Sequence, residues 1–126
     1  MIEKGIQGIQ SLLVTDNQLA QAVGSGTLPV FATPSMIALI EKTCELSVRP
    51  LLEEGAATVG THLDIRHTAA TPCARRVTCE STLSEVDGRR LVFTVRVCDE
   101  SGEIGGGTHE RFIVFKEKFL AKANLR

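Results

Sequence analysis

Alternating apolar and polar positions in the second half of the chain predict a series of β-strands. Four segments repeat with the two-residue period of a half-buried strand, namely residues 58–67, 76–86, 91–98 and 104–115. Asp87-Gly88 lies between the second and third segments and is typical of a tight hairpin. Residues 99–102 form another turn. The pattern therefore predicts a meander of antiparallel strands.

The same alternation assigns one face of each strand to the core. In the first three segments these positions are Val59, Thr61, Leu63 and Ile65, then Val77, Cys79, Ser81 and Leu83, then Leu91, Phe93, Val95 and Val97. The last segment has Gly105-Gly106-Gly107 near its start, which a bulge in a bent strand explains. It is not a phosphate loop, because no Lys-Ser/Thr follows it.

The first half of the chain predicts a strand, a long loop and a helix. Residues 7–15 could form the first strand, and residues 16–30 are rich in turn formers, with at most a short helical turn. A loop of this length is often a lid. Thr33-Pro34 then begins a helix, with Thr33 as the expected N-cap, and Pro50 ends it at about Val48.

This order of elements predicts an α+β fold in which a curved antiparallel sheet wraps a long central helix. The helix is apolar on nearly every side, through Ile37, Ile40, Cys44 and Val48 and through Leu39 and Leu46. One sheet cannot cover such a helix, so we expect a partner subunit to cover the rest. The length of 126 residues suits one domain spanning residues 1–126.

Composition narrows the classes of function. The formal net charge is −1, whereas nucleic-acid binders usually have a strong basic excess. None of the four cysteines forms a CxxC motif, and the sequence has no run of 18 apolar residues. We therefore expect reduced thiols in a cytoplasmic protein with no membrane partner, and core roles for Cys44 and Cys98.

Basic residues cluster locally despite the balanced charge. Arg75-Arg76 and Arg89-Arg90 are pairs, and the C-terminal segment contains Lys116, Lys118, Lys122 and Arg126. Each cluster is either a solvated surface or an anchor for the phosphates of a nucleotide-like ligand.

Glu41 is the most informative polar residue. Helical periodicity places it inside the apolar stripe of Ile37, Ile40 and Cys44. A carboxylate among core residues costs several kcal/mol unless a partner compensates it. Glu41 is therefore either a helix-edge residue paired with a basic group or a catalytic acid or base.

His67 and Thr33 are further candidates. By strand alternation His67 points to the helix side, where it is either a structural residue or a proton shuttle. Thr33 either caps the helix or faces a ligand at the helix start. The histidines at 62, 67 and 109 are too scattered for a metal site, and His62 points away from His67, so we expect no metal.

Several strings resemble one family closely. They include Phe31-Ala32-Thr33, the helix with Glu41, residues 58–61 (TVGT), residues 67–72 (HTAATP), residues 88–91 (GRRL) and residues 103–111 (EIGGGTHER). In order and at this spacing they resemble the fluoroacetyl-CoA thioesterase family of hotdog proteins. The resemblance runs from about Val30 to Phe119, and the two strings HTAATP and GTHER are its most specific parts.

The resemblance implies an acyl-CoA thioesterase with Thr33, Glu41 and His67 as catalytic residues. It also implies that the Gly60 backbone, the Arg111 side chain and Phe31 line the substrate site, with no cofactor beyond the CoA of the substrate. Thr33 and Glu41 are eight residues apart, about 12 Å along a helix, so they should not meet within one chain. We therefore expect a homodimer with its active site at the interface. Whether two dimers pair into a tetramer is left open.

One departure from the family concerns the lid. The fluoroacetyl-specific enzyme has aromatic residues before the helix, whereas residues 24–29 here (GSGTLP) have none. We therefore expect the thioesterase reaction on a small acyl group without specificity for a fluorinated one. Two alternatives remain: a hotdog hydratase or dehydratase, although no Asp lies beside His67, and a non-catalytic acyl-CoA binding module.

Overall fold

The computed structural model describes all residues from 1 to 126. Its sheet contains the strands β1 (Gln7–Leu13), β2 (Ala56–His67), β3 (Arg76–Asp87), β4 (Arg90–Asp99) and β5 (Gly102–Phe115). All pairings are antiparallel, in the order β1-β3-β4-β5-β2. The first two strands along the chain, β1 and β2, are therefore the two edges of the sheet.

Three α-helices accompany the sheet: α1 (Ala20–Val23), α2 (Thr33–Val48) and α3 (Lys116–Asn124). Short 3-10 turns lie at Asp16–Gln18 and Arg49–Leu51. The central helix α2 packs mainly on β1 and β3. The prediction of an α+β fold is confirmed, and the bounds of α2 confirm the predicted extent of this helix. Helix α3 was not predicted, and it has no buried residue. No helix is both long enough and apolar enough to cross a membrane.

The core forms between α2 and the inner faces of β3 and β4. Every inner position predicted for β3 and β4 is buried, and the hairpin between the two strands contains Gly88 in the left-handed region (φ 61°). The predicted core role of Cys44 is confirmed, whereas Cys98 is only half-buried. Burial raises the pKa of the Cys44 thiol to about 12, so this cysteine is an inert core residue.

The inner face of β2 differs from the prediction. The pairing of β2 with β5 shifts register between Gly60 and His62, which is a β-bulge. Before the bulge Thr58 is buried, and Val59 pairs with Phe112 on the outer face, so the assignment of Val59 to the core face was wrong. After the bulge, Ile65 packs against the core as predicted. The extra residue reverses which positions of the strand point inward.

The glycine run of β5 lets neighbouring strands approach closely. Gly107 has φ 147°, and a Cβ built on it would lie 2.0 Å from the carbonyl oxygen of Asp64 in β2. A Cβ on Gly105 would lie 2.4 Å from the Arg66 carbonyl oxygen. Because those contacts are with backbone, no side-chain rotation can relieve them. The pairing of β5 with β4 also shifts register here, from Gly105 opposite Val97 to Glu103 opposite Cys98, which is the bulge that the sequence predicted.

Replacing Gly107 with alanine should destabilise the fold more than replacing a glycine in an open turn. Gly55 also has a positive φ (86°), but nothing lies within 4 Å of its Cβ position. We expect Gly55→Ala to lower the free energy of unfolding by about 1 kcal/mol and Gly107→Ala by about 3 kcal/mol or more. Urea unfolding of both variants measures the difference, and equal losses would contradict the steric argument.

Candidate functional site

The start of α2 brings Thr33 to His67. The N-cap is Ala32, and Thr33 is the first helical residue, so the expectation of Thr33 as N-cap was wrong. Its hydroxyl is therefore not used in a cap and lies 2.8 Å from Nδ1 of His67, within hydrogen-bond distance. We refer to Thr33 and His67 as the hydroxyl–imidazole pair.

The imidazole of His67 is held at the end of β2. Phe31 packs against it edge to face, with ring centroids 6.5 Å apart. Its second nitrogen, Nε2, is buried and has no hydrogen-bond partner within the chain. Burial lowers the pKa of His67 below its usual value of 6.5, so the ring is neutral at pH 7 and able to accept a proton.

A cleft of about 320 Å³ opens beside this pair. The loop expected to act as a lid contributes one wall and the segment after His67 contributes another; the lining residues are Ala20, Ser25, Val30, Phe31, Ala32, Thr33, His67, Thr68, Ala69 and Ala70. Phe31 is itself almost fully buried. It supports the wall of the cleft and the ring of His67.

The two walls are fixed to each other through Thr71. The N–H of Phe31 donates to the carbonyl oxygen of Thr71 at 2.8 Å, and the Thr71 hydroxyl donates to the Asp99 carboxylate at 2.8 Å. A bridge between Val30 and Pro72 adds to this connection. The HTAATP string thus joins the start of α2 to the turn between β4 and β5.

Glu41 lies at the edge of the buried stripe of α2 and not inside it as predicted. Its side chain is 41% exposed, whereas the neighbouring Ile40 is fully buried. Thr33, Ile37 and Glu41 follow one another at four-residue spacing along one row of the helix. The helix prediction was correct, but its buried face is rotated toward Met36 and Leu39.

Arg111 holds the carboxylate of Glu41. Its Nη1 donates to Glu41 Oε2 at 3.2 Å, its Nε donates to the Thr58 hydroxyl at 2.8 Å, and its Nη2 donates to the Thr58 carbonyl oxygen at 3.0 Å. The guanidinium side chain is only 7% exposed. A buried cation with this many acceptors has one orientation, which fixes the position of the carboxylate.

His109 completes this group and was missed as a site residue, since it was considered only as a metal ligand. Its Nδ1 lies 2.9 Å from the His62 carbonyl oxygen, which can only accept, so Nδ1 carries the proton. Nε2 then accepts from Arg111 Nη1 at 3.1 Å. Burial lowers the pKa of His109 and favours this neutral form. The shared parity of His109 and Arg111 on β5 was the available sequence signal.

Gly60 leaves room for the carboxylate. A Cβ on Gly60 would lie 2.6 Å from Glu41 Oε2 and 3.2 Å from His109 Cε1. A side chain at this position would therefore displace Glu41. We call Glu41, Thr58, Gly60, His109 and Arg111 the carboxylate cluster.

The predicted site residues therefore form two groups in one chain. No hydrogen bond or ion pair links Glu41 to Thr33 or to His67, and Glu41 contacts the residues of the carboxylate cluster instead. No three side chains of His, Cys, Asp or Glu are close enough together to hold a metal ion. The expectation of no metal stays a prediction.

Comparison with known proteins shows the family of this chain. The model of the family FlK, fluoroacetyl-CoA-specific thioesterase, matches residues 14–117. A fluoroacetyl-CoA thioesterase of Streptantibioticus cattleyicolor is 46% identical over 93 residues, which cover 74% of this chain and 67% of that protein.

Solved structures show the same fold. A mutant of the fluoroacetyl-CoA-specific thioesterase, in complex with fluoroacetate and CoA, superposes with a TM-score of 0.89 at 35% identity, over 94% of this chain and 99% of that one. A hot-dog-like protein from Thermanaerovibrio acidaminovorans superposes with a TM-score of 0.87 at 18% identity, over 95% and 89% of the two chains. The hotdog prediction is confirmed, and the chain belongs to the fluoroacetyl-CoA-specific thioesterase family.

Proposed function

We propose that this protein hydrolyses a small acyl-CoA thioester to the free acid and CoA. The observation that carries the proposal is the carboxylate of Glu41, held by the buried guanidinium of Arg111 against the Gly60 backbone. Membership of the family and the activity of its named relative support the same reaction. The proposal includes no metal and no cofactor beyond the CoA of the substrate.

Each residue has a proposed role in that reaction. Glu41 either attacks the thioester carbonyl, which expels the thiolate and leaves an anhydride that water then hydrolyses, or takes a proton from a water that attacks the carbonyl directly and expels the thiolate. The neutral ring of His67 takes up the proton that the hydrolytic water releases and passes it to the departing sulfur. The Thr33 hydroxyl orients the carbonyl, and the N–H of Gly60 with Arg111 stabilises negative charge on its oxygen.

These roles require the hydroxyl–imidazole pair and the carboxylate cluster to reach one acyl group. Thr33 and Glu41 are separated by about 12 Å along α2, so the pair and the cluster of a single chain do not face the same atom. We propose that the active site forms between two subunits, with the pair from one and the cluster from the other. A two-fold dimer then has two equivalent sites.

The free edge of β2 supports such a dimer. Residues 60–64 of this strand are exposed, and Leu63 has 41% of its surface accessible. An unpaired edge of this kind is a template for another strand. If two copies of β2 paired antiparallel about Leu63, His67 of the partner subunit would lie near the Gly60 end of this strand. The proposed pairing thus delivers an imidazole to the carboxylate cluster.

The lid and the cysteines support two narrower proposals. The lid residues that line the cleft, Ala20, Ser25 and Val30, are small or aliphatic, so we propose no selection for a carbon–fluorine bond. All four cysteines are free, which suits a reducing compartment such as the cytoplasm.

Thiol release from acyl-CoA esters tests the proposed reaction. We expect turnover of acetyl-CoA, with kcat/KM for fluoroacetyl-CoA within about tenfold of that for acetyl-CoA, because the lid lacks aromatic side chains. Glu41→Gln keeps the shape of the side chain but removes its charge, and should lower kcat by about 100-fold or more. Binding of acyl-CoA without thiol release would instead identify a binding module, and hydration of an enoyl-CoA would identify a hydratase.

Mixing two inactive variants tests the shared site. Thr33→Ala loses the hydroxyl and Glu41→Gln loses the carboxylate, but a mixed dimer retains one site with both groups intact. Random reassembly of equal amounts should restore about a quarter of the wild-type activity. Each variant reassembled alone is the control, and a mixture no more active than these controls would refute the shared site.

The pH profile should reflect neutral histidines. Because burial lowers the pKa of His67, the ring stays neutral until the pH falls below the usual histidine value of 6.5. We expect kcat/KM to stay level at neutral pH and to decrease only as the pH drops through this lowered value. His109→Gln, which keeps an acceptor for Arg111 but cannot titrate, should retain the acid limb. Loss of the acid limb in His109→Gln, or a decrease of kcat/KM that begins above pH 6.5, would contradict the assignment of this limb to His67.

A further inference from the structure

Helix α3 and the β3–β4 turn form a basic groove that the proposed chemistry does not use. The groove has a volume of about 170 Å³ and is lined by Arg89, Val114, Phe115, Lys118, Phe119 and Lys122. Lys118 and Lys122 are one helical turn apart on α3 and therefore lie on the same side of that helix. The basic groove thus combines three cations with two aromatic rings.

The cations of the basic groove are not engaged by acidic side chains. The ion pairs of the chain involve Arg49, Arg90, Arg96, Arg111 and His62, and neither Arg89 nor the two lysines takes part. The Arg89 guanidinium carbon lies 5.3 Å from the centre of the Phe112 ring, which orients the side chain without neutralising it. Glu117 on α3 is the nearest acidic residue in sequence and does not line the groove.

The aromatic rings are also available for contact. Phe115 and Phe119 are 39% and 40% exposed, and α3 buries no residue against the sheet. An exposed phenyl ring beside several cations suits a flat heteroaromatic base that carries phosphates. The groove is too small for a nucleic-acid duplex, and the chain as a whole is not basic.

The position of the basic groove suits the far end of a CoA ester. Strand β5 connects Arg111 of the carboxylate cluster to Phe115 of the groove, a distance of about 13 Å along the strand. This is comparable with an extended pantetheine arm, which separates the thioester from the nucleotide. We propose that the basic groove binds the 3′-phosphorylated adenosine diphosphate of the substrate, with Arg89, Lys118 and Lys122 on the phosphates and Phe119 on the adenine.

This inference rests on the proposed function, and a truncated substrate separates the two. Acetyl-pantetheine has the same thioester as acetyl-CoA but no nucleotide. In Lys118→Gln/Lys122→Gln we expect kcat/KM for acetyl-CoA to fall about tenfold, mainly through KM, while acetyl-pantetheine is unaffected. Lys4→Gln/Arg75→Gln removes the same charge from exposed positions outside the groove and should leave both substrates unchanged.

Direct binding gives a second readout that does not need turnover. Adenosine 3′,5′-bisphosphate should bind the wild-type protein in calorimetry, and about tenfold more weakly the variant with both lysines replaced. Equal losses on both substrates would indicate a structural role of α3 and overturn the proposal. Failure of the bisphosphate to bind would also overturn it, whether or not the protein hydrolyses thioesters.

A membrane surface is the competing partner for a helix with lysines and exposed phenylalanines. Sedimentation with phosphatidylserine vesicles tests this alternative. Binding to vesicles that requires Lys118 and Lys122, with no effect of these residues on acetyl-CoA or the bisphosphate, would replace the nucleotide proposal. If the protein does not bind vesicles, and replacing both lysines lowers kcat/KM for acetyl-CoA but not for acetyl-pantetheine, the nucleotide proposal is supported.

Discussion

A guanidinium group removed from water needs acceptors for its N–H groups, and the arrangement around Arg111 follows from this requirement. Thr58 supplies two acceptors, His109 a third and Glu41 a fourth, the last with a negative charge. Removing one of these partners leaves the buried guanidinium with an unsatisfied N–H group, although the exposure of Glu41 makes its ion pair weaker than a fully buried one. Arg111 therefore fixes a strand, a histidine tautomer and a helix residue at the same time.

The half-exposed position of Glu41 gives this network its chemical use. A fully buried carboxylate would be neutralised by Arg111 and inaccessible, whereas a fully exposed one would be mobile. Here the buried cation fixes one oxygen of Glu41 while much of the side chain remains accessible. Gly60 allows this geometry, because any side chain on β2 at that point would occupy the place of the carboxylate.

The sequence predicted the fold well because its periodic signals are strong. The inner faces of β3 and β4, the Gly88 hairpin and the extent of α2 all follow from alternation, turn chemistry and helix breakers. The bulge in β2 could not be predicted, since one inserted residue leaves the composition of a strand unchanged and only reverses its faces. Helix α3 was missed because it has no buried face, and hence no apolar stripe to detect.

The sequence named residues for the candidate site, but it did not predict how the structure arranges them. Thr33, Glu41, His67, Gly60 and Arg111 were all named from the sequence, but its patterns assigned Thr33 to a cap and Glu41 to the core stripe. Both errors have one cause: local rules describe a helix by itself, whereas the imidazole of His67 and the guanidinium of Arg111 come from distant strands. Tertiary partners therefore decided where the two side chains point.

Thr33, Ile37 and Glu41 form one row along α2, with the hydroxyl–imidazole pair at one end and the carboxylate cluster at the other. This arrangement bears on how the subunits assemble. Helix α2 packs mainly on β1 and β3, so this row faces the side where the sheet ends in the free edge of β2. A single hydrolytic site that used both ends of the row would need to bend the helix or to place an acyl group along about 12 Å of it. A second copy on the β2 edge satisfies the same requirement with both helices straight. The proposed second copy would also cover Leu63 and the unpaired strand, which have no partner within one chain.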